Sequence, residues 1–174
     1  MQELADANRV QRLVHGLGEW VDSKRQAQPT HGFALVGIRS RGEVIADRVA
    51  KQLDIENVGV LDITLYRDDL SEIGSQPVVR TTEIDFSLDG LDVVLIDDVL
   101  MSGRSIRAAL SSLMDLGRPR RVWLAVLVDR GEAVKELPIS ADFAGLTHDG
   151  DEHVRVLLTP TDDRDAIELE GGAA

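Results

Sequence analysis

The sequence predicts an α/β fold: a central, mainly parallel sheet flanked by helices, made by a single domain spanning residues 1–174. Three observations carry this. Short apolar runs alternate along the chain with stretches whose apolar residues recur at helical spacing, and that alternation builds parallel sheets covered by helices. Two runs, Phe33-Ala34-Leu35-Val36-Gly37-Ile38 and Val93-Val94-Leu95-Ile96, lack the polar alternation of a half-exposed strand and read as strands buried on both faces. Finally, 174 residues with 43% apolar content and no cysteine can bury roughly 70% of the unfolded chain's surface in one core without staples.

The elements follow in order. Leu4, Ala7, Val10, Leu13, Val14, Leu17 and Val21 recur at helical spacing, which predicts an amphipathic helix over 4–25, closed before Pro29. The strand at 33–38 ends in the polar turn Arg39-Ser40-Arg41-Gly42. Val44, Ile45, Val49 and Leu53 then mark a second helix. A strand is expected over 58–65. The strand at 93–96 leads through a loop to a helix over 106–116, which Gly117 and Pro119 stop before another buried strand at 122–128. Residues 66–92 break the pattern: they are polar, with Gly74, Pro77 and the alternations Val78/Arg80 and Ile84/Phe86, which predicts a hairpin or mobile flap. The segment 149–174 is acidic, with a strand candidate at 154–158 and a frayed end over 168–174.

Charge narrows the function classes. Nineteen basic against 31 acidic residues give a net charge of −12, which excludes a generally basic, phosphate-coating protein while leaving room for a local basic face. The opening MQELADANRVQRLV mixes charge with apolar residues, unlike a signal peptide, and no run approaches the length of a spanning helix; a cytoplasmic protein is expected. The absence of cysteine removes thiol nucleophiles and Cys-based zinc sites. His15, His31, His148 and His153 have no metal-ligand spacing and read as surface residues, and Trp20 and Trp123 as core or subunit-contact aromatics.

The stretch that carries chemistry is Asp97-Asp98-Val99-Leu100-Met101-Ser102-Gly103-Arg104-Ser105. It sets two carboxylates at the C-terminal end of a buried strand, the edge at which open α/β sheets bind ligands. Small and hydroxylic residues then open a helix, where successive backbone N–H groups and the helix dipole suit a phosphate and Gly103 lets the chain approach closely. The hydroxyls of Ser102 and Ser105 add donors. The spacing fits a phosphorylated sugar, with its phosphate in the loop and its hydroxyls on Asp97 and Asp98. Taken singly, Asp97-Asp98 also suits a strand-ending turn and Ser105 an N-cap; it is the conjunction that points to the sugar phosphate.

That stretch resembles the phosphoribosyl pyrophosphate (PRPP) motif of type I phosphoribosyltransferases. Three further segments narrow the likeness: Gly37-Ile38-Arg39-Ser40-Arg41-Gly42; Leu61-Asp62-Ile63-Thr64-Leu65-Tyr66-Arg67-Asp68-Asp69-Leu70; and Leu127-Val128-Asp129-Arg130-Gly131 with Glu136-Leu137-Pro138-Ile139 and Ala141-Asp142-Phe143. Together they resemble the bifunctional pyrimidine-operon attenuator and uracil phosphoribosyltransferase family, from about Arg9 to Gly145. The resemblance implies a type I phosphoribosyltransferase fold and the reaction of uracil with PRPP to give UMP and pyrophosphate, with Mg²⁺ held mainly by PRPP. It implies PRPP contacts from Ser40, Arg41, Gly42, Arg67, Arg80, Asp97, Asp98, Val99, Leu100, Met101, Ser102, Gly103, Arg104 and Ser105. Within that set Arg41 meets pyrophosphate, and Asp97 and Asp98 hold the 2′- and 3′-hydroxyls where the metal also sits; these three are the catalytic candidates. The flap corresponds to the hood that closes over PRPP, with Tyr66, Arg67 and Arg80 on its inner side, although Arg80 equally suits a solvent-facing strand position.

For the base, the resemblance implies Asp129, Arg130, Lys135, Leu137, Pro138 and Ile139. Similar proteins carry Asp-Arg-Gly-His-Arg-Glu-Leu-Pro-Ile here; this chain has two extra residues, no histidine, and Lys135 where an arginine is usual. The resemblance also implies dimers or larger assemblies and binding of pyrimidine-operon messenger RNA. Only 3 Lys occur against 20 Asp, and the segment from Asp149 sets eight acids against Arg155 and Arg164, so the enzyme is favoured over the RNA-binding regulator. A basic patch would have to come from Arg9, Arg12, Arg118, Arg120 and Arg121, which also suit ordinary solvated helix ends.

Overall fold

The computed structural model describes residues 2–64 and 82–171. Its strands and helices are β1 (Gln2–Ala5), α1 (Ala7–Ala27), β2 (Phe33–Ile38), α2 (Arg41–Leu53), β3 (Val58–Leu61), β4 (Asp92–Leu100), α3 (Arg104–Leu116), β5 (Arg121–Asp129), β6 (Phe143–Thr147), β7 (His153–Leu157) and β8 (Ala166–Glu170). Five strands form a parallel sheet in the order β3-β2-β4-β5-β6, with Leu35 beside Val58 on one side and Val94 on the other.

The unbroken apolar runs of β2 and β4 serve both faces of this sheet. Leu35, Val94 and Ile96 face α1 and α2, where Val10, Val14, Leu17, Val21, Ile45 and Val49 meet them. Ala34, Val36, Val93 and Leu95 face α3 through Ile106, Ala109 and Leu113. The helices divide this way because β2 leads to a neighbour on one side and β4 to a neighbour on the other. Right-handed crossovers in opposite directions place α2 and α3 on opposite faces. The strand order therefore reverses between β2 and β4, and a crevice opens beyond their C-terminal ends, the usual ligand position in such sheets.

The N-terminus departs from expectation. Leu4 belongs to a strand, and α1 starts only at Ala7, where the Asp6 carboxylate accepts the Arg9 N–H at 2.7 Å. The C-terminal region departs further. Instead of fraying, Ala166–Glu170 is the central strand of an antiparallel sheet in the order β1-β8-β7, with Ile167 and Leu169 buried in the same core as α1. Alternating acids hid it: Glu168 is buried and pairs with Arg164. The strand expected over 58–65 stops at Leu61, and β6 was not anticipated.

Of the flap expected over 66–92, residues 66–81 lie outside the described residues. The remainder is packed. Glu83 and Val60 exchange backbone hydrogen bonds of 2.8 Å each way, Leu88 is buried, and Ile84 and Phe86 lean on the α3 face of the sheet. Alternating Ile84, Phe86 and Leu88 supply the apolar contacts that hold this segment down. No helix of the described residues is long and apolar enough to cross a membrane.

Candidate active site

Two connections meet at the crevice. The first, residues 39–42, follows β2. Its Arg39–Ser40 peptide is cis, and the Arg39 N–H donates to the Leu61 carbonyl at 3.0 Å. Gly42 opens α2 so close to β4 that a Cβ there would lie 2.4 Å from the Ile96 carbonyl oxygen, directly before Asp97. Only glycine lets these backbones touch.

The second connection, Met101-Ser102-Gly103, joins β4 to α3. Gly103 has φ +88°, a conformation that side chains disfavour, and it turns the chain into the first turn of α3. The amides of that turn have no carbonyl partner within the helix and carry its positive dipole end. A phosphate placed there needs no lysine.

The acids stand between the two connections. Asp97 is 7% exposed and accepts the Asp98 N–H at 2.9 Å; Asp98 accepts the Val99 N–H at the same distance. Burial pushes the Asp98 pKa up, opposed by a hydrogen bond with Asp97 and by the Arg41 charge. Two adjoining clefts open here. One, of about 280 Å³, runs along Ile38, Arg39, Ser40, Arg41, Asp97 and Asp98. The other, of about 260 Å³, lies between Leu100–Ser105 and the β7 residues His153–Val156. Arg41, Asp98, Val99 and Ser105 line both.

The structure thus gathers Ser40, Arg41, Asp97, Asp98, Val99, Leu100, Met101, Ser102, Gly103 and Ser105 around one crevice, with Gly42 at its floor. Arg104 flanks it, its Nε donating to Glu136 at 2.5 Å. Tyr66, Arg67 and Arg80 lie outside the described residues.

The residues expected at the base divide. Arg130 is buried, lines the second cleft, and donates to the Gly150 carbonyl at 2.6 Å. The Glu136 and Leu137 amides donate to the Ser102 carbonyl at 3.0 and 3.2 Å. Leu137 and Ile139 stand 3.4 Å from where a Gly103 Cβ would be, and Pro138 between them is exposed. Lys135 points elsewhere. Its ammonium sits 2.5 Å from Glu132 and 3.5 Å from Asp129, and the Glu132 bond pushes its pKa up. The segment that holds the two extra residues forms a one-turn 3₁₀ helix, Glu132–Val134, that Lys135 closes. Lys135 and Asp129 line neither cleft.

Sequence reasoning missed the β7 wall, His153 to Val156, and it missed Asp162. The Asp162 carboxylate accepts from Arg41 Nε at 3.0 Å and Nη2 at 2.8 Å, which holds its pKa below the usual carboxylate range. One aspartate among eight tail acids carries no sequence signal of such a role.

The phosphoribosyl transferase domain family matches residues 2–151. The chain is 48% identical to the protein named "Bifunctional protein PyrR" of Thermus aquaticus, across 96% of this chain and 94% of that protein. It is 52% identical to the protein of that name from Deinococcus deserti, across 91% and 86%. This chain belongs to the phosphoribosyl transferase family and, within it, to the PyrR proteins. Among solved structures, a hypoxanthine phosphoribosyltransferase variant from Trypanosoma cruzi with its substrates matches with a TM-score of 0.73 at 14% identity, covering 97% of this chain and 95% of that one. A Staphylococcus aureus hypoxanthine phosphoribosyltransferase gives 0.67 at 19% identity, covering 88% and 80%. At such identities the likeness is one of fold. It extends the family's architecture to the described sheet and helices.

Proposed function

We propose that this protein transfers the phosphoribosyl group of PRPP to uracil, forming UMP and pyrophosphate, and so serves pyrimidine salvage. The observation that carries the reading is the crevice between β2 and β4: an amide-lined helix start, two adjacent carboxylates and an arginine on one continuous surface. In the reaction N1 of uracil bonds to the anomeric carbon, the bond from that carbon to the pyrophosphate oxygen breaks, and the N1 proton is released. The sugar passes through a cation-like state.

The chain's own groups suit that demand. Amides from Ser102 to Ser105 hold the 5′-phosphate, which fixes the ring between the acids and the base. Asp97 and Asp98 receive the 2′- and 3′-hydroxyls, and the charge on Asp98 offsets the positive charge growing on the sugar. Arg41 and the turn amides of Ser40 and Gly42 take the departing pyrophosphate. Arg130 and the backbone around Leu137 to Ile139 border the base, whereas Lys135 contributes by closing its own loop. Arg67 and Arg80 remain candidates for the flap side.

Mg²⁺ fits this donor set. Among the described residues no group of three or more His, Asp or Glu could hold a metal by itself, but two adjacent carboxylates suit a hard cation that arrives with PRPP and keeps several waters. Bound there, Mg²⁺ would neutralise pyrophosphate charge, with Asp97 and Asp98 as its protein-side contacts.

The test is incubation with PRPP, Mg²⁺ and each nucleobase. Pyrophosphate should appear with uracil; turnover with hypoxanthine or orotate and none with uracil would overturn the substrate. The word "bifunctional" in the relatives' names favours a second activity, regulation by binding leader RNA. The expected arginine patch is partly spent: Arg120 forks onto buried Asp92 at 2.7 and 2.5 Å, and Arg121 lies over the Trp123 ring. Binding of leader RNA that weakens with salt and strengthens with UMP would support that activity; binding indifferent to nucleotide and sequence would count against it. A homodimer or larger assembly is part of the same reading, and sedimentation velocity tests it.

A further inference from the structure

The connection between β7 and β8 reaches across the molecule to the turn after β2, and two arginines of α2 grip it. Arg48 forks onto Asp165 at 2.6 and 2.9 Å and also donates to the Thr159 carbonyl at 2.8 Å. It borders neither of the two clefts, so this fork is a mechanical anchor. Arg41, two turns earlier, makes a similar fork onto Asp162 but lines both clefts. Asp162 is itself fixed, because its Oδ2 also accepts the Leu158 N–H at 2.7 Å, and its side chain is 11% exposed.

A guanidinium has five N–H donors in one plane. The fork uses Nε and one hydrogen of Nη2. Arg41 makes no other hydrogen bond among the described residues, so three donors remain, one on Nη2 and two on Nη1. A loose arginine loses rotamer freedom when an anion immobilises it; one already clamped loses little. The clamp also has an opposing effect, since the Asp162 charge weakens the attraction of Arg41 for an anion. The second anchor on Asp162, through Leu158, decides between the two. A carboxylate meant to be displaced would gain nothing from being tied to the backbone.

We propose that Asp162 is the positioning residue of Arg41, a carboxylate from the β7–β8 connection that fixes two donors so that those left on Nη1 and Nη2 meet the pyrophosphate of PRPP. This rests on the reading of Arg41 as a pyrophosphate contact.

The experiment is calorimetric titration of the full chain with PRPP in Mg²⁺, for the wild type, Arg41→Ala, Asp162→Asn, the double variant and Asp165→Asn, with melting curves for each. Asp162→Asn should raise Kd about tenfold, the scale of one charge-assisted hydrogen bond. Asp162→Glu keeps the charge but displaces the fork; it should move Kd in the same direction and stands in should the Asn variant not fold. The double variant should bind no worse than Arg41→Ala alone. Asp165→Asn should lower the melting temperature and leave Kd unchanged. Unchanged or tighter binding by Asp162→Asn, with Arg41→Ala weakened, would overturn the positioning role alone. Additive effects, or an equal loss in Asp165→Asn, would overturn it too by making the effect one of general loosening. If Arg41→Ala binds as the wild type does, the pyrophosphate reading of Arg41 falls and the positioning role with it.

Discussion

Replacing Gly42 with alanine tests whether the closeness of two backbones builds the active site. The new Cβ would stand 2.4 Å from the Ile96 carbonyl oxygen and 3.2 Å from the Asp97 Cα. Carbon and oxygen tolerate about 3.3 Å, so the start of α2 must retreat from β4 by about 1 Å. Neither partner is a flexible side chain that could swing aside. Overpacking of this kind costs about 1–3 kcal/mol, which for a chain of this size lowers the melting temperature by roughly 2–12 °C. The retreat separates Arg41 from Asp97 and Asp98, and a 1 Å misplacement can reduce rates on the order of 100-fold. Gly16→Ala is the control: nothing lies within 4 Å of its Cβ, and in the middle of α1 it should raise stability by about 1 kcal/mol with activity unchanged. The assay is kcat/KM for PRPP with saturating uracil, beside thermal melts. A Gly42→Ala protein with wild-type kcat/KM and melting temperature would refute the reasoning.

Three further outcomes are expected. Asp98→Asn should abolish most turnover yet melt higher at neutral pH. Burial raises the Asp98 pKa above its unfolded value near 3.9, so its contribution to stability is whole below that value and lost as pH rises through the raised pKa; a wild-type advantage at pH 7 would contradict this. Arg48 holds the Asp165 pKa at about 2 and Arg41 lowers that of Asp162. Their stabilisation is therefore present above about pH 4 and lost as pH falls towards about 2. Asp165→Asn should remove on the order of 1–2 kcal/mol in urea melts at pH 5 and almost nothing near pH 2, after screening of a partly exposed pair; an equal loss at both would exclude the linkage. Asp97→Asn and Arg104→Ala should each reduce turnover at least tenfold while the far-ultraviolet circular dichroism stays native; full activity in both would remove the loop from the site.

The parallel sheet was legible because its strands are buried on both faces, which leaves nearly continuous apolar runs such as 33–38 and 93–96. The crevice was legible for a related reason: acids, a glycine and hydroxyls between a strand and a helix can be read locally. What stayed hidden depends on partners distant in the chain. Leu4 fits a helical stripe equally well, and only the strand Ala166–Glu170 draws it into a sheet. That strand in turn alternates Ile167 and Leu169 with acids, one of them buried against Arg164. The alternation Ile84/Phe86 reads as part of a flap; the bridge from Glu83 to Val60 and the apolar cluster under α3 pack it against the sheet. Lys135 looked like a stand-in for a base-contacting arginine, but two neighbouring acids, Glu132 and Asp129, hold its ammonium. Asp162 acts across 121 residues of sequence, and no local pattern marks it.

A crystal structure with UMP bound examines the central assignment most directly. The phosphate oxygens should accept hydrogen bonds from the amides between Ser102 and Ser105, with the ribose hydroxyls against Asp97 and Asp98 and the uracil between Arg130 and Ile139. UMP seated anywhere else on the molecule, with this crevice vacant, would contradict the account at its root.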